Sequence, residues 1–123
     1  MKVLIIEDEE ILAKVLQEKF EKEKFTAQIV SDGGLAFSTA KSFKPDAILL
    51  DIILPNKDGI QILQELKADP ELQSVPVIIM SNLGEDEKIK TALSMGAVDY
   101  LVKTQHPINE VVEKVKNYLV NPK

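Results

Sequence analysis

Carboxylates, a hydroxyl and a lysine stand directly after short apolar runs of this sequence. Glu7 and Asp8, then Glu9 and Glu10, follow Val3–Ile6; Asp51 follows Ala47–Leu50; Ser81 and Asn82 follow Val75–Met80; Lys103 follows Val98–Val102. Four carboxylates without a glycine repel a bare phosphate, which a glycine-rich loop at a helix start would cradle. They suit a hard cation with oxygen ligands, and Mg²⁺ takes one or two carboxylates plus water. The same acids also suit a helix start, where they complement the macrodipole; that reading is preferred for Glu9 and Glu10, while Glu7 and Asp8 fit either. An aspartate after a strand often only caps a turn. Asp51, however, is flanked by Leu50, Ile52, Ile53 and Leu54, so its carboxylate is expected in a confined place. Beside a cation such a carboxylate can act as a nucleophile. Ser81 could then donate to a phosphoryl oxygen, and Lys103 could balance charge. Nucleophile, cation site, hydroxyl and ammonium together form a phosphoryl-transfer set.

The elements that must bring these residues together are legible from periodicity. The β-branched runs Val3–Ile6, Thr26–Val30, Ala47–Leu50, Val75–Met80 and Val98–Val102 read as strands, nearly continuous in apolar character as buried parallel strands are. Between them lie amphipathic stretches. Ile11, Leu12, Val15, Leu16 and Phe20 mark the first helix face, and Leu35–Phe43 a second helix, stopped before Pro45. Ile60, Leu63 and Leu66 mark a third, Glu85–Met95 a fourth stopped by Gly96, and Ile108, Val111, Val112, Val115 and Leu119 a last one opened by Pro107. Five βα repeats predict an α/β fold, a doubly wound five-stranded parallel sheet with helices on both faces. Ligands of such sheets bind outside the carboxyl ends of the strands, at the point where strand order reverses. Glu7, Asp8 and Asp51 should converge there.

Composition narrows the function classes. The chain has 123 residues, expected to form one domain over 1–123, with Asn121-Pro122-Lys123 as a frayed end. Twenty acidic against fifteen basic residues, a net charge of −5, disfavour direct nucleic-acid binding and an anionic membrane surface. There is no cysteine, and His106 is the single histidine, so thiolate chemistry and Cys or His zinc sites are excluded. No signal peptide is recognisable in MKVLIIEDEE and no apolar run is long enough to span a bilayer, so a cytoplasmic location is expected.

Over nearly its whole length the chain resembles the receiver domain of two-component response regulators. Glu7-Asp8, the stretch Asp51-Ile52-Ile53-Leu54-Pro55-Asn56-Lys57-Asp58-Gly59, Ser81, and Tyr100-Leu101-Val102-Lys103 carry the resemblance. It implies a flavodoxin-like sheet in the order 2-1-3-4-5. It implies that Asp51 accepts a phosphoryl group from a sensor histidine kinase or phosphotransfer protein, with Mg²⁺ held by Glu7 (through water), Asp8, Asp51 and the Ile53 carbonyl. Ser81 and Lys103 would contact the phosphoryl oxygens. Ser81 and Tyr100 would switch the face formed by helix 4, strand 5 and helix 5, which could also dimerise or meet an effector protein. Such a domain is a switch rather than a turnover enzyme, catalysing only its own phosphorylation and dephosphorylation.

Three positions depart from the family's usual pattern. Glu7-Asp8 stands for a pair of aspartates, Asn82 for a small alanine, and Thr104 for the proline after Lys103. A cis bond before threonine costs about 3 kcal/mol, so the Lys103–Thr104 bond should be trans, with the loop before Pro107 rearranged. Ile53 and Leu83, at positions that border the water's approach in the family, are apolar, and slow self-dephosphorylation is expected. Rival readings are an aspartyl-phosphate phosphohydrolase, a flavin carrier, and a degenerate receiver serving only as a docking module. The first wants an acid where Ile53 stands, the second a phosphate loop; the complete acid, Ser81 and Lys103 set speaks against the third.

Overall fold

A computed structural model describes residues 1–120; Asn121-Pro122-Lys123, expected to fray, lie outside the described residues. Five parallel strands alternate with five α-helices. In chain order they are β1 Lys2–Ile6, α1 Glu10–Lys22, β2 Thr26–Val30, α2 Ala36–Phe43, β3 Ala47–Asp51, α3 Gly59–Ala68, β4 Val77–Ser81, α4 Asp86–Ser94, β5 Asp99–Val102 and α5 Ile108–Val120. The sheet order is β2-β1-β3-β4-β5, the doubly wound order expected.

Side-chain alternation along the strands splits the core in two. Leu4, Ile6, Ile48, Leu50, Val77 and Ile79 face one layer, where Ala36, Ala40, Ile62, Leu63, Leu66 and Ala92 of α2, α3 and α4 cover them. Val3, Ile5, Leu49, Ile78, Met80 and Leu101 face the other, covered by Leu16 and Phe20 of α1 and Val111, Val112 and Val115 of α5. Phe20 meets Phe25 edge to face, with ring centroids 5.2 Å apart. Burial on both faces explains why the central strands β1, β3 and β4 carry no polar residue between Lys2 and their carboxyl ends, whereas the edge strands β2 and β5 carry Thr26, Gln28 and Asp99.

Four elements differ from the expected ones. The α1 core face runs through Ala13, Leu16 and Phe20, while Ile11 is 81% exposed and Val15 also reaches solvent. Residues 11 and 15 are one turn apart and stand on the flank of that face, not on it. Pairing in β4 starts at Val77 because Pro76 has no N–H for the ladder, and it extends through Ser81. A 3₁₀ turn over Gly33–Leu35 precedes α2, which leaves Leu35 exposed. Val98 also falls outside β5, which starts at Asp99. The remaining boundaries agree to about a residue, and Gly96 stops the chain after α4 at φ 111°.

Candidate functional site

Backbone pairing delivers the site residues to one edge of the sheet. The Glu7 N–H donates to Val30 O at 2.9 Å, continuing β1 past its last paired residue. The Ile52 N–H donates to Met80 O at 3.1 Å, and the Lys103 N–H to Ser81 O at 2.8 Å. Glu7, Asp51, Ser81 and Lys103 therefore leave neighbouring strands β1, β3, β4 and β5 at the same end. Gly59 lets α3 begin tight against β3: its N–H donates to Ile52 O at 2.9 Å, and a Cβ there would lie 2.6 Å from Asp51 O. Asp58 caps α3 by accepting from Ile60 N and Gln61 N. This explains locally why the Pro55–Gly59 stretch has its residue types. Asn56 takes a left-handed φ of 70°, and its amide donates to Asp32 Oδ1 at 3.0 Å. Nothing in the sequence marks this tie across to the β2–α2 loop, because residues 32 and 56 are 24 positions apart.

The acids do converge. One carboxylate oxygen from each of Glu7, Asp8 and Asp51 lies within 4.8 Å of the others. Glu7 and Asp51 are buried and Asp8 is exposed. Lys103 Nζ stands 2.9 Å from Asp51 Oδ2 and 2.8 Å from Glu7 Oε1. The contact to Asp51 is an aligned hydrogen bond; the one to Glu7 is an ion pair at short distance without that alignment. Asp51 Oδ1 accepts from the Ile53 N–H at 3.1 Å, and Glu7 Oε2 from the Glu9 N–H at 3.0 Å. Glu9 precedes α1, as its helix-start reading requires, but its carboxylate also reaches Lys103 Nζ at 3.2 Å. No sequence signal separates this role from simple helix-start chemistry, because only the fold of β5 onto β4 brings Lys103 there.

Electrostatics follow from this crowding. Burial, reinforced by the neighbouring Asp51 carboxylate, pushes Glu7 up to about 8, although Lys103 and the Glu9 N–H pull the other way. Burial opposes the charge on Lys103, but its contacts with Glu7 and Asp51 outweigh this and raise its pKa above the ordinary lysine value. One ammonium does not satisfy the cluster. Glu7 Oε1 and Ser81 Oγ are buried without a hydrogen-bond partner. Buried polar atoms are normally paired; Ser81 Oγ has no partner, and Glu7 Oε1 has only the poorly aligned Lys103 ammonium, so both can take a further one. Clustered carboxylate oxygens fit a hard cation, and a buried free hydroxyl fits an incoming oxygen anion.

The remaining predicted residues are placed as follows. Ile53 directs its N–H to Asp51, while its side chain is 41% exposed. Leu83 is 69% exposed, and the Asn82 N–H donates to Glu85 Oε1 at 2.7 Å. Tyr100 lies on the edge strand β5 and is partly exposed. The described peptide bonds include no cis bond, so Lys103–Thr104 is trans as expected. Among the described residues no helix is long and apolar enough to cross a membrane.

The family model described as "Response regulator receiver domain" matches residues 3–116. The "Regulatory protein VanRc" of Enterococcus gallinarum is 34% identical over 118 residues, covering 96% of this chain and 49% of that protein. The curated relatives matched are thus longer, and this chain spans about half their length or less. The receiver domain of the Francisella response regulator 1452 superposes with a TM-score of 0.87 at 30% identity, covering 99% of this chain and 98% of that one. The receiver domain of sensor histidine kinase PA1611 from Pseudomonas aeruginosa PAO1 has a TM-score of 0.85 at 26% identity, covering 98% of both chains. That structure has a magnesium ion coordinated in its active site cleft.

Proposed function

This chain belongs to the response regulator receiver domain family, and from that we propose that Asp51 accepts a phosphoryl group from a phosphohistidine. Receiver domains work with histidine kinases or phosphotransfer proteins in two-component systems. A carboxylate oxygen of Asp51 attacks phosphorus, an O–P bond forms, the N–P bond breaks, and the donor imidazole leaves with the electron pair. The observation that carries this reading is the buried Asp51 carboxylate, 2.9 Å from Lys103 Nζ, beside the unpartnered Ser81 Oγ.

Each residue has a distinct task. Lys103 holds Asp51 in place and balances the charge of the transferred group. Ser81 donates its hydroxyl to a phosphoryl oxygen, which gives that buried group a partner. Glu7, Asp8, Asp51 and the Ile53 carbonyl would hold Mg²⁺, Glu7 through water. Bound there, the ion supplies positive charge against the carboxylates and the phosphoryl oxygens. Movement of Ser81 toward the new phosphoryl group draws Tyr100 inward and alters the face of α4, β5 and α5. An effector protein, or a second copy, reads that face. The domain is a cytoplasmic switch whose catalysis is confined to gaining and losing its own phosphoryl group.

Intact mass after incubation with acetyl phosphate and Mg²⁺ tests the reading. The parent should gain one phosphoryl mass and Asp51→Asn none. Asp8→Ala should abolish the gain and Glu7→Ala weaken it. Phosphoryl mass on Asp51→Asn, or none on the parent, overturns the assignment.

A further inference from the structure

β5 is an edge strand, and alternate residues of a parallel strand send their N–H and C=O groups to opposite sides. Lys103 donates inward to Ser81 O, so the Val102 N–H points outward, where no strand lies. Its partner is His106 Nδ1, at 3.1 Å. The Val102 carbonyl accepts from Gln105 N at 2.9 Å and His106 N at 3.1 Å, and Nδ1 lies 3.1 Å from that oxygen too. The carbonyl thus already has two donors, whereas the N–H depends on the imidazole. This pattern assigns Nδ1 as an acceptor and the ring proton to Nε2.

We propose that His106 is a positioning residue for Lys103: its neutral imidazole ties the turn after β5 and so sets the direction in which Lys103 leaves the strand toward Asp51. Val102 carries the tie and is the immediate neighbour of Lys103. No proline ring stiffens the turn between Lys103 and Pro107, because Thr104, Gln105 and His106 fill it. The two backbone bonds to the Val102 carbonyl and the imidazole bond to the Val102 N–H supply the constraint instead. A doubly protonated ring cannot accept at Nδ1, so the tie is lost when the imidazole gains a second proton.

The proposal rests on the phosphoacceptor reading above, and the experiment separates the two. The full chain, His106→Asn and His106→Leu are compared. Asparagine can place an acceptor oxygen near the Nδ1 position at any pH; leucine fills space without one. Three readouts are taken from pH 5 to 8: the rate of phosphorylation by acetyl phosphate, hydrogen exchange of the Val102 amide, and the NMR resonance of Lys103 Nζ. His106→Leu should phosphorylate roughly tenfold or more slowly, the size of effect that misplacing a reacting group produces. Its Val102 amide should exchange faster and its Lys103 resonance should shift. His106→Asn should restore all three. The ratio of parent to His106→Asn rates should fall toward acid, because only the parent's acceptor can take up a proton, a dependence that a purely structural ring would not produce. A parental rate and an unshifted Lys103 in His106→Leu overturn the proposal, as does a flat rate ratio. If the parent is not phosphorylated, the phosphoacceptor reading fails, and Val102 exchange with the Lys103 resonance still decides whether His106 positions the lysine.

Discussion

Asp51 and Lys103 lie 52 positions apart and meet at 2.9 Å, a buried ion pair between the ends of β3 and β5 that β4 separates in the sheet. Lys103 bridges over the end of β4 to reach Asp51, and Glu7 of the next strand contacts the same ammonium. Two buried carboxylates, Glu7 and Asp51, share this ammonium, with Glu9 at its rim and the exposed Asp8 beside the two buried acids. The surplus of negative charge makes the site responsive to cations and to the loss of a carboxylate.

The first consequence concerns Asp51→Asn without Mg²⁺. Asparagine keeps the shape and an acceptor for Ile53 N while removing one charge from the cluster. The variant should be more stable than the parent by about 1 kcal/mol, because the neighbouring Glu7 carboxyl, which Asp51 disfavours as an anion, is relieved of a like charge. Added Mg²⁺ should raise the parent's urea midpoint clearly more than the variant's. A variant less stable than the parent in the absence of divalent ions would show that the Lys103 pair outweighs the repulsion.

Gly59 should tolerate no side chain. A Cβ at that position would lie 2.6 Å from both Asp51 O and Ile52 Cα, backbone atoms that cannot move without displacing β3. Gly59→Ala should destabilise by about 1–3 kcal/mol, as overpacking does, and weaken Mg²⁺ binding because Asp51 moves. Chemical denaturation and titration calorimetry check the two effects together.

Acid sensitivity should come partly from Asp99, far from the acidic cluster. Burial pushes its carboxyl up, but donors on Lys114, the Tyr100 N–H and the Tyr118 hydroxyl outweigh this and hold it below the ordinary aspartate value. A depressed folded-state pKa means the unfolded chain binds the proton first as pH falls. The stabilisation is present above the unfolded value and is lost as pH drops through the folded one. Asp99→Asn should therefore be less stable near neutral pH by roughly 0.5–1 kcal/mol, given the partial exposure of the pair. The difference should close in acid, measured by thermal melts across pH. A gap that persists in strong acid would place the effect in packing.

The lifetime of the phosphorylated form should be set in part by Ile53 and Leu83. Both are exposed apolar side chains, and neither can orient a water by hydrogen bonding. The double variant Ile53→Asn, Leu83→Glu should lose its phosphoryl group at least about tenfold faster, at the low end of what acid–base help to water achieves. Decay after removal of the donor, followed by intact mass, checks this; an equal or slower decay in the variant rejects the apolar gate.

The sequence by itself determined the five βα repeats, because period-two and period-3.6 patterns of apolar residues act locally and sidedness follows from them. It also placed the chemistry: in buried parallel strands polar residues collect at the ends, so Glu7, Asp8, Asp51 and Lys103 stand out against Val, Ile and Leu. Ser81 was legible as the first polar residue after Met80, though not as the last paired residue of β4, since that pairing is made by Val102 of β5 across the sheet. What only the tertiary structure decided depends on contacts between distant segments. Ala13 rather than Ile11 is buried because the angle at which α1 lies on the sheet selects its face, and composition is silent on that angle. Glu9 meets Lys103, and Asn56 meets Asp32, because strand order folds separate loops onto one edge. His106 had no partner in the sequence, because its acceptor role arises from an N–H that an edge strand leaves without a strand partner.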